Sequence, residues 1–505
     1  MIAKIQSYAL IGLSGNPVSV EVDINNGLPA FEVVGLPDTA VKEAKERVRS
    51  AIKNSGRGVP TKRITVNFAP ASIKKEGSSF DLPLAIGVLK ACAQLDADTD
   101  GIVFLGELSL DGSLRRINGV LPTLISAVED GYKTFIIPEG NKEEASFVSG
   151  ATVYPASSLN QVIEHLSGIC QLEKVKNAEY GLDKTVKAVY DTDISLVKGQ
   201  AVAKRALEVA VAGGHNILFV GAPGTGKTML AKCIPTIMPD MSFSEALETT
   251  KIHSVAGYLK EDEGIIKVRP FRSPHHTAST VSLTGGGSNA KPGEISLANN
   301  GVLFLDEMPE YSRSTLEALR QPLEDGVITV ARAQLTATYP ANFILCGSMN
   351  PCPCGNYGSA EKVCTCSPAQ ISKYKSKISG PLLDRIDIQV HVDEVKYAEL
   401  VDDSTVAENS ETVKRRVNRT REIQKKRFAH DGICTNSAMG EKLLKKYCKL
   451  SESCEQILKN AYKTLGLSPR ARSRIIKVAR TIADMELSDE ILVNHILEAI
   501  SYRQY

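Results

Sequence analysis

The sequence predicts an α/β fold in three parts: a layered α+β domain over residues 1–170, an α/β core over 191–395 and a helical domain over 396–505, with 171–190 as a linker. Three observations predict it. The apolar run Asn216-Ile217-Leu218-Phe219-Val220 passes through Gly221-Ala222-Pro223-Gly224-Thr225-Gly226-Lys227-Thr228 into the helically spaced Met229-Leu230-Ala231-Lys232. A second apolar strand, Gly301 to Leu305, ends in the adjacent acids Asp306 and Glu307. Short strands alternate with helices through the front of the chain, as in layered α+β domains.

Composition narrows the class. A chain of 505 residues is long enough for about two to four domains. Its hydrophobic content of 43% and charged content of 23% are ordinary for a soluble globular protein. A net charge of +2 excludes a global polyelectrolyte, so any nucleic-acid contact must come from local patches. With neither a long apolar run nor a signal-peptide core at Met1-Ile2-Ala3-Lys4, no membrane partner is expected. Eleven cysteines, an odd number, fit the reducing cytoplasm better than a disulfide framework.

In the front domain, Val18 to Ile24 alternates as a half-buried strand and meets the turn Asn25-Asn26-Gly27. Strands are also expected at Phe31–Val34, Ile64–Phe68, Val103–Leu105 and Phe135–Pro138, and helices at Thr39–Asn54, Leu82–Leu95 and Leu121–Glu129. The segments Lys74-Lys75-Glu76-Gly77-Ser78-Ser79, Gly106-Glu107-Leu108-Ser109-Leu110-Asp111-Gly112 and Gly131-Tyr132-Lys133-Thr134-Phe135-Ile136-Ile137-Pro138 resemble the proteolytic domain of Lon peptidases. In that family a lysine activates the nucleophilic serine. Ser79 falls at the serine position, but Leu121 stands where the lysine would be, two residues after Gly119. The resemblance therefore implies a Lon-like domain without peptidase activity. Residues 171–190 are polar and aperiodic, a linker or a helix laid across the domain seam.

The core carries the chemistry. Glycines let a phosphate loop point its backbone N–H groups inward, cradling phosphate oxygens at a helix N-terminus. Lys227 then reaches the β- and γ-phosphates of ATP, and the Thr228 hydroxyl ligates Mg²⁺. Asp306, at the end of an apolar strand, sits beside the Mg²⁺ shell, leaving Glu307 to orient the attacking water. A third strand, Asn342–Cys346, runs into Gly347-Ser348-Met349-Asn350. Asn350 is the candidate for contact with the lytic water or γ-phosphate, or else a turn asparagine before Pro351. Arg385, in Gly380-Pro381-Leu382-Leu383-Asp384-Arg385-Ile386-Asp387, has as its plainest reading a local salt bridge to Asp384 or Asp387. His275 and His276 stay open between packed loop residues, channel contacts and metal ligands.

Together these motifs resemble the AAA+ ATPases, and Phe271-Arg272-Ser273-Pro274-His275-His276, Gly285-Gly286-Gly287 and Lys291-Pro292-Gly293-Glu294 narrow the resemblance to the magnesium-chelatase-related branch that includes the ComM/YifB proteins. It covers nearly the whole chain. It implies that Arg385 is an arginine finger serving a neighbour's ATP, hence a homo-oligomeric ring, most simply a hexamer. It also implies an insertion facing the ring's channel. Arg470, with Arg474 as fallback one turn on, would be the second sensor of the γ-phosphate in a helical lid whose motion couples hydrolysis to work. Proteins of the ComM type are DNA motors, so single-stranded or branched DNA is the implied partner and branch migration in natural transformation the implied activity. Trp is absent, but a motor gripping backbone phosphates needs no stacking surface.

Two features stand outside that pattern. Cys352-Pro353-Cys354 and Cys364-Thr365-Cys366 form two C-x-C pairs. Four thiolates can build a tetrahedral Zn²⁺ site, although C-x-C is tighter than the usual spacing; redox chemistry and no special role are the alternatives. Lys414 to Arg427 is the strongest basic run, either a solvated helix face or a phosphate-contacting one. Rival functions are a chelatase-like or chaperone-like motor acting on a protein, and an ATP-driven protease. No Asp-x-Ser-x-Ser metal-adhesion motif supports the first, since Asp193-Ile194-Ser195 continues as Leu196-Val197. Leu121 disfavours the protease.

Overall fold

A computed structural model describes residues 2–75, 77–181, 192–287, 290–332, 335–359, 362–394 and 407–503. Glu76, residues 182–190 of the expected linker and the expected boundary at 395/396 lie outside the described residues.

The front of the chain forms a seven-stranded sheet ordered Ala30–Val34, Arg63–Ala69, Ser14–Asn25, Ile2–Ile11, Ile102–Phe104, Thr134–Pro138 and Thr152–Ala156. The long pair Ile2–Ile11 and Ser14–Asn25 is antiparallel and lies at the centre, while the last three strands run parallel to Ile2–Ile11. Alternation along the strands sends side chains to two cores. Ile5, Val20, Val22, Phe104 and Ile136 pack with helices Thr39–Asn54 and Asp81–Ala91 on one face. Tyr8, Val103, Phe135 and Ile137 pack with helix Val120–Glu129 on the other.

The second sheet has five strands, all parallel, in the order Phe271–Arg272, Val302–Leu305, Ile344–Met349, Ile217–Val220 and Ile388–His391. Every residue of the three central strands is buried, as expected where helices cover both faces. The phosphate loop, Asp306 and Asn350 therefore leave the C-terminal ends of three adjacent strands, where such sheets place their ligands. Two antiparallel hairpins project from this unit: Gly285–Gly286 with Lys291–Pro292, and Val327–Arg332 with Leu335–Pro340. Tyr339 donates its hydroxyl to Ala290 O at 2.8 Å and so ties one hairpin to the other.

Helices Ser410–Arg427, Glu452–Leu465, Pro469–Met485 and Val493–Ser501 close the chain and share one apolar core with helix Ala201–Gly213. Buried ion pairs reinforce that join. Asp387 accepts from Arg474 at 2.5 Å and from the Asn216 N–H at 3.2 Å, with His215 Nδ1 at 3.3 Å. Asp484 accepts from Arg427 at 2.6 Å, Arg480 at 3.0 Å and Asn436 at 2.8 Å.

Part of the basic run is engaged in the same way. Arg416 pairs with Glu208 and Glu408, Lys414 with Asp240, and Arg421 donates to the Val211 carbonyl at 2.7 Å. The face read as solvated or phosphate-binding is thus only partly an internal seam: Arg415, Arg419, Lys425 and Lys426 are still exposed.

The front domain docks on the core at several places. The Gly119 N–H, at the start of helix Val120–Glu129, donates to Ser254 O at 3.2 Å on helix Phe243–Ala256. Beside it, buried Glu144 accepts from Ser254 Oγ at 2.6 Å and from the Leu121 N–H at 3.2 Å. The turn at Gly12 meets the hairpin Val327–Pro340, where a Cβ on Gly12 would lie 3.2 Å from Ala337 Cβ. Residues 171–181 contain no helix, and they lie along the front domain through Val175 N–H to Val153 O at 2.8 Å and Ala178 N–H to Ser146 O at 3.0 Å.

Candidate nucleotide site

Strand Ile217–Val220 aims the phosphate loop. Asn216 sets it in place from below, donating to Arg385 O at 3.0 Å and accepting from the Leu345 N–H at 2.9 Å. Gly221 must be glycine, because a Cβ there would come within 2.3 Å of Val392 O. Gly224 (φ +84°) and Gly226 (φ +92°) turn left-handed, and a Cβ on either would meet nothing within 4 Å. The loop is thus an open cradle ahead of helix Lys227–Ile237, whose first N–H groups face it.

Lys227 Nζ donates to Gly221 O at 2.8 Å, Ala222 O at 2.7 Å and Asn350 Oδ1 at 3.3 Å. Burial pushes this ammonium's pKa down, while Asp306 and Glu307 pull it up. Thr228 Oγ1 donates to Asp306 Oδ2 at 2.9 Å, so a hydroxyl and a carboxylate converge on one point beside the cradle. The other Asp306 oxygen accepts from the Ser348 hydroxyl and from the Glu307 N–H, the latter at 3.1 Å. That donor set fits Mg²⁺ bound with nucleotide phosphate: hard oxygens, one of them charged.

Glu307 has φ +49°, a left-handed conformation that costs a non-glycine residue energy and concentrates at functional sites. It turns the side chain out of the strand direction, and the carboxylate is 57% exposed. His276 Nδ1 stands 3.7 Å from Glu307 Oε2, and its ring packs on His275 with centroids 4.1 Å apart. The sequence left this histidine open among three roles; only its packing beyond strand Phe271–Arg272 brings it to the acid.

Arg385, Arg470 and Arg474 lie elsewhere. Strands Ile217–Val220 and Ile388–His391 run parallel, with Ile217 opposite Ile388, so Arg385 sits at the opposite end of the sheet from Gly221. Its guanidinium pairs with Glu324 and donates to Pro381 O at 2.8 Å, while Nε is buried without a hydrogen-bond partner. Neither Asp384 nor Asp387 is its partner: Ser468 donates to Asp384 and Arg474 to Asp387. Arg470 is exposed on the same side, close enough to help hold the Glu324 carboxyl below its usual range. Helix Pro469–Met485 carries both sensor candidates to this end by packing on helix Ala201–Gly213, so neither reaches the phosphate loop of its own chain.

The four cysteines are brought together. Cys352, Cys354, Cys364 and Cys366 have all their sulfurs within 4.8 Å of one another. The loop begins directly after Asn350 and folds back on the phosphate loop, where a Cβ on Gly355 would lie 2.6 Å from Pro223 Cδ. Backbone N–H groups of Asn356 and Thr365 hold the Cys354 thiol down, to about 5. Among the described residues no helix is long and apolar enough to cross a membrane.

A five-stranded parallel sheet with a phosphate loop, an acidic strand end and a polar strand end beside it defines an ATPase of the AAA+ class, which works with ATP and Mg²⁺. Family models place it within that class. Residues 193–400 match magnesium chelatase, subunit ChlI; residues 20–141 match subunit ChlI of Mg-chelatase; and residues 407–503 match the ChlI C-terminal region. The chain is 43% identical over 503 residues to the competence protein ComM of Haemophilus influenzae, covering 99% of this chain and 97% of that one. It is 43% identical over 500 residues to Escherichia coli YifB, covering 99% and 96%. The chain belongs to the ComM/YifB family of magnesium-chelatase-like AAA+ ATPases. An archaeal Lon protease of Archaeoglobus fulgidus is 26% identical over 175 residues, 33% of this chain and 28% of the protease, in keeping with a Lon-like front domain.

Proposed function

We propose that this protein assembles into a ring, most simply a hexamer, and couples ATP hydrolysis to remodelling of single-stranded or branched DNA, driving branch migration as transforming DNA is integrated. One observation carries the ring. The phosphate loop, Asp306, Glu307 and Asn350 occupy one end of the core sheet, while Arg385 and Arg470 occupy the other. A single chain thus holds two half-sites that face apart, and they complete one another only between neighbours. The DNA substrate is supported by the likeness to a protein named for competence, at 43% identity over nearly the whole of both chains.

In this reading the inward N–H groups of Gly221–Thr228 and the Lys227 ammonium bind the phosphates, exchanging carbonyl contacts for phosphate oxygens. Thr228 and Asp306 hold Mg²⁺, which neutralises charge on the β- and γ-phosphates when bound. Glu307 accepts a hydrogen bond from the lytic water and orients it, and Asn350 positions the γ-phosphate end of the site. Arg385 and Arg470 come from the neighbouring subunit and stabilise charge on the transferring phosphoryl group. The front domain serves a structural rather than a peptidase role in this reading: Leu121 is fully buried in helix Val120–Glu129, and Gly119 before that helix donates to Ser254 of the core.

ATP turnover tests this reading, measured against single-stranded, duplex and four-way-junction DNA over a range of salt, with Glu307→Gln as blank. Stimulation by branched or single-stranded DNA that fades as salt rises supports a DNA motor. An active enzyme indifferent to every DNA would replace this reading with a chelatase-like or chaperone-like motor acting on a protein partner.

A further inference from the structure

The C-x-C pairs lie outside everything the ATPase chemistry requires, yet they are the most tightly organised cluster of ligating side chains among the described residues. Cys352 Sγ is 3.3 Å from Cys354 Sγ and 3.6 Å from Cys364 Sγ, and Cys354 Sγ is 3.6 Å from Cys364 Sγ. A disulfide brings two sulfurs to about 2.05 Å, so these are separate thiols. Four thiolates around one Zn²⁺ at about 2.3 Å mark the corners of a tetrahedron with edges of about 3.8 Å, close to the spacing found. A two-iron cluster shares its four thiolates between two metals and needs a wider span than the 4.8 Å that encloses all four here. The Tyr357 N–H donates to Cys352 Sγ at 3.3 Å, the kind of backbone contact that steadies a metal-bound thiolate.

The cluster's place in the fold says what an ion there does. Cys352 is buried two residues after Asn350, whose Oδ1 meets Lys227 at 3.3 Å. Gly355 leans on Pro223 of the phosphate loop. Between phosphate loop, cysteine loop and the end of strand Ile388–His391 lies a cavity of about 330 Å³, lined by Gly221, Ala222, Gly355, Tyr357 and Val392 among others. Among the described residues, this loop is closed at its base by the four thiols and the backbone N–H groups that meet them. Without an ion they bring mutual repulsion as thiolates, or an apolar contact of little weight as thiols.

We propose that Cys352, Cys354, Cys364 and Cys366 bind one structural Zn²⁺ through four thiolates, and that the ion clamps the segment from Asn350 to Gly355 against the phosphate loop so that Asn350 stays in reach of the bound nucleotide. The second half of this proposal rests on the nucleotide-site assignment above; the first half does not.

The test uses the full chain purified under reducing conditions without chelator. Elemental analysis is expected to find one zinc per chain, and chain prepared with Co²⁺ in its place should show the visible spectrum of a tetrahedral tetrathiolate site. Absence of zinc, with no thiolate–cobalt spectrum on titration of the wild-type chain, overturns the site whether or not any variant folds. Cys364→Ser with Cys366→Ser should lose the ion and lower ATP turnover at saturating ATP by about tenfold or more, as expected for a small displacement of a positioning group. Loss of zinc with turnover unchanged overturns the clamp and leaves a local staple. Lys227→Ala should keep its zinc while losing nucleotide binding. If that variant still binds nucleotide, the nucleotide-site assignment fails and the zinc site stands.

Discussion

Glu324→Gln tests whether the proposed arginine finger, Arg385, is held back by its ion pair. Arg385 is nearly buried, and its charge is matched by Glu324, which is 57% exposed. Glu324 is the penultimate residue of helix Arg320–Asp325, which leads through Gly326 into the hairpin Val327–Pro340. Arg385 holds the Glu324 carboxyl below the usual glutamate range, so the pair stays charged at any assay pH near neutrality. Solvent screens an ion pair with one partner this exposed, and its worth is about 1 kcal/mol. Besides Glu324, only the Pro381 carbonyl, at 2.8 Å, holds the guanidinium inward among the described residues, and the buried Nε has no partner. Removing 1 kcal/mol raises the population of released arginine about fivefold. Under the proposed ring mechanism, DNA-free ATP turnover should therefore rise by about that factor in Glu324→Gln, with turnover in the presence of DNA little changed. A coupled-enzyme ATPase assay at saturating ATP measures it. Turnover falling toward that of Arg385→Ala, which should lose about a thousandfold or more, would refute the reasoning. It would show that Glu324 presents the finger rather than withholding it.

Glu307→Gln should bind ATP and assemble normally while hydrolysis falls steeply; unchanged turnover would remove Glu307 from the reaction. Arg385→Ala should be inactive alone but regain activity when mixed with Lys227→Ala subunits, because some interfaces then pair an intact loop with an intact finger; no recovery in verified mixed rings would count against action between subunits. Asp484→Ala leaves Arg427 and Arg480 without their buried partner and should cost about 3–5 kcal/mol in the helical domain; urea unfolding followed by circular dichroism would contradict this if the loss were under about 1 kcal/mol. Leu121→Lys should destabilise the front domain and produce no peptide hydrolysis, since residue 121 is sealed in a core; any peptidase activity would show that the serine site is still open to substrate.

Much of the site was legible because its signals are local. The loop from Gly221 to Thr228 and the acids after Leu305 each announce themselves within a few residues, and a parallel sheet brings strand ends together without further information. Asn350 was readable for the same reason, as the polar end of an apolar strand. What could not be read is partnership across long separations. Arg385 finds Glu324 from another element, and Arg416 finds Glu208 across the join of core and helical domain, so part of a basic run that reads as a solvated or phosphate-contacting face is consumed inside the protein. The hairpin Val327–Pro340 is different. Ile328, Val330, Ala337 and Tyr339 are all buried at period-two spacing, a strand signal that was present and missed among the polar residues between them. Strand Ile2–Ile11 was missed because both its faces are partly covered, which blurs the alternation.

The packing also explains why a front domain lacking the lysine of a Lon dyad would be retained. One apolar cluster contains Ile328, Val330, Ala337 and Tyr339 of the second hairpin, Ala290 beside the first, and Met308, the residue after Glu307. Leu13, from the turn between the two longest strands of the front sheet, packs against that same cluster. The front domain is further fixed to helix Phe243–Ala256 through Gly119, Ser254 and Glu144. Protein interiors are close-packed and transmit displacement rather than absorb it. The hairpins, the turn that aims Glu307 and the front sheet therefore share one continuous apolar contact. Arg385 is held from outside that cluster, through the exposed carboxylate of Glu324 at the hairpin's base. Met308 thus joins Glu307 to the hairpin's apolar core, whereas Glu324 joins Arg385 to its edge, so the two residues are tied to one hairpin by different contacts.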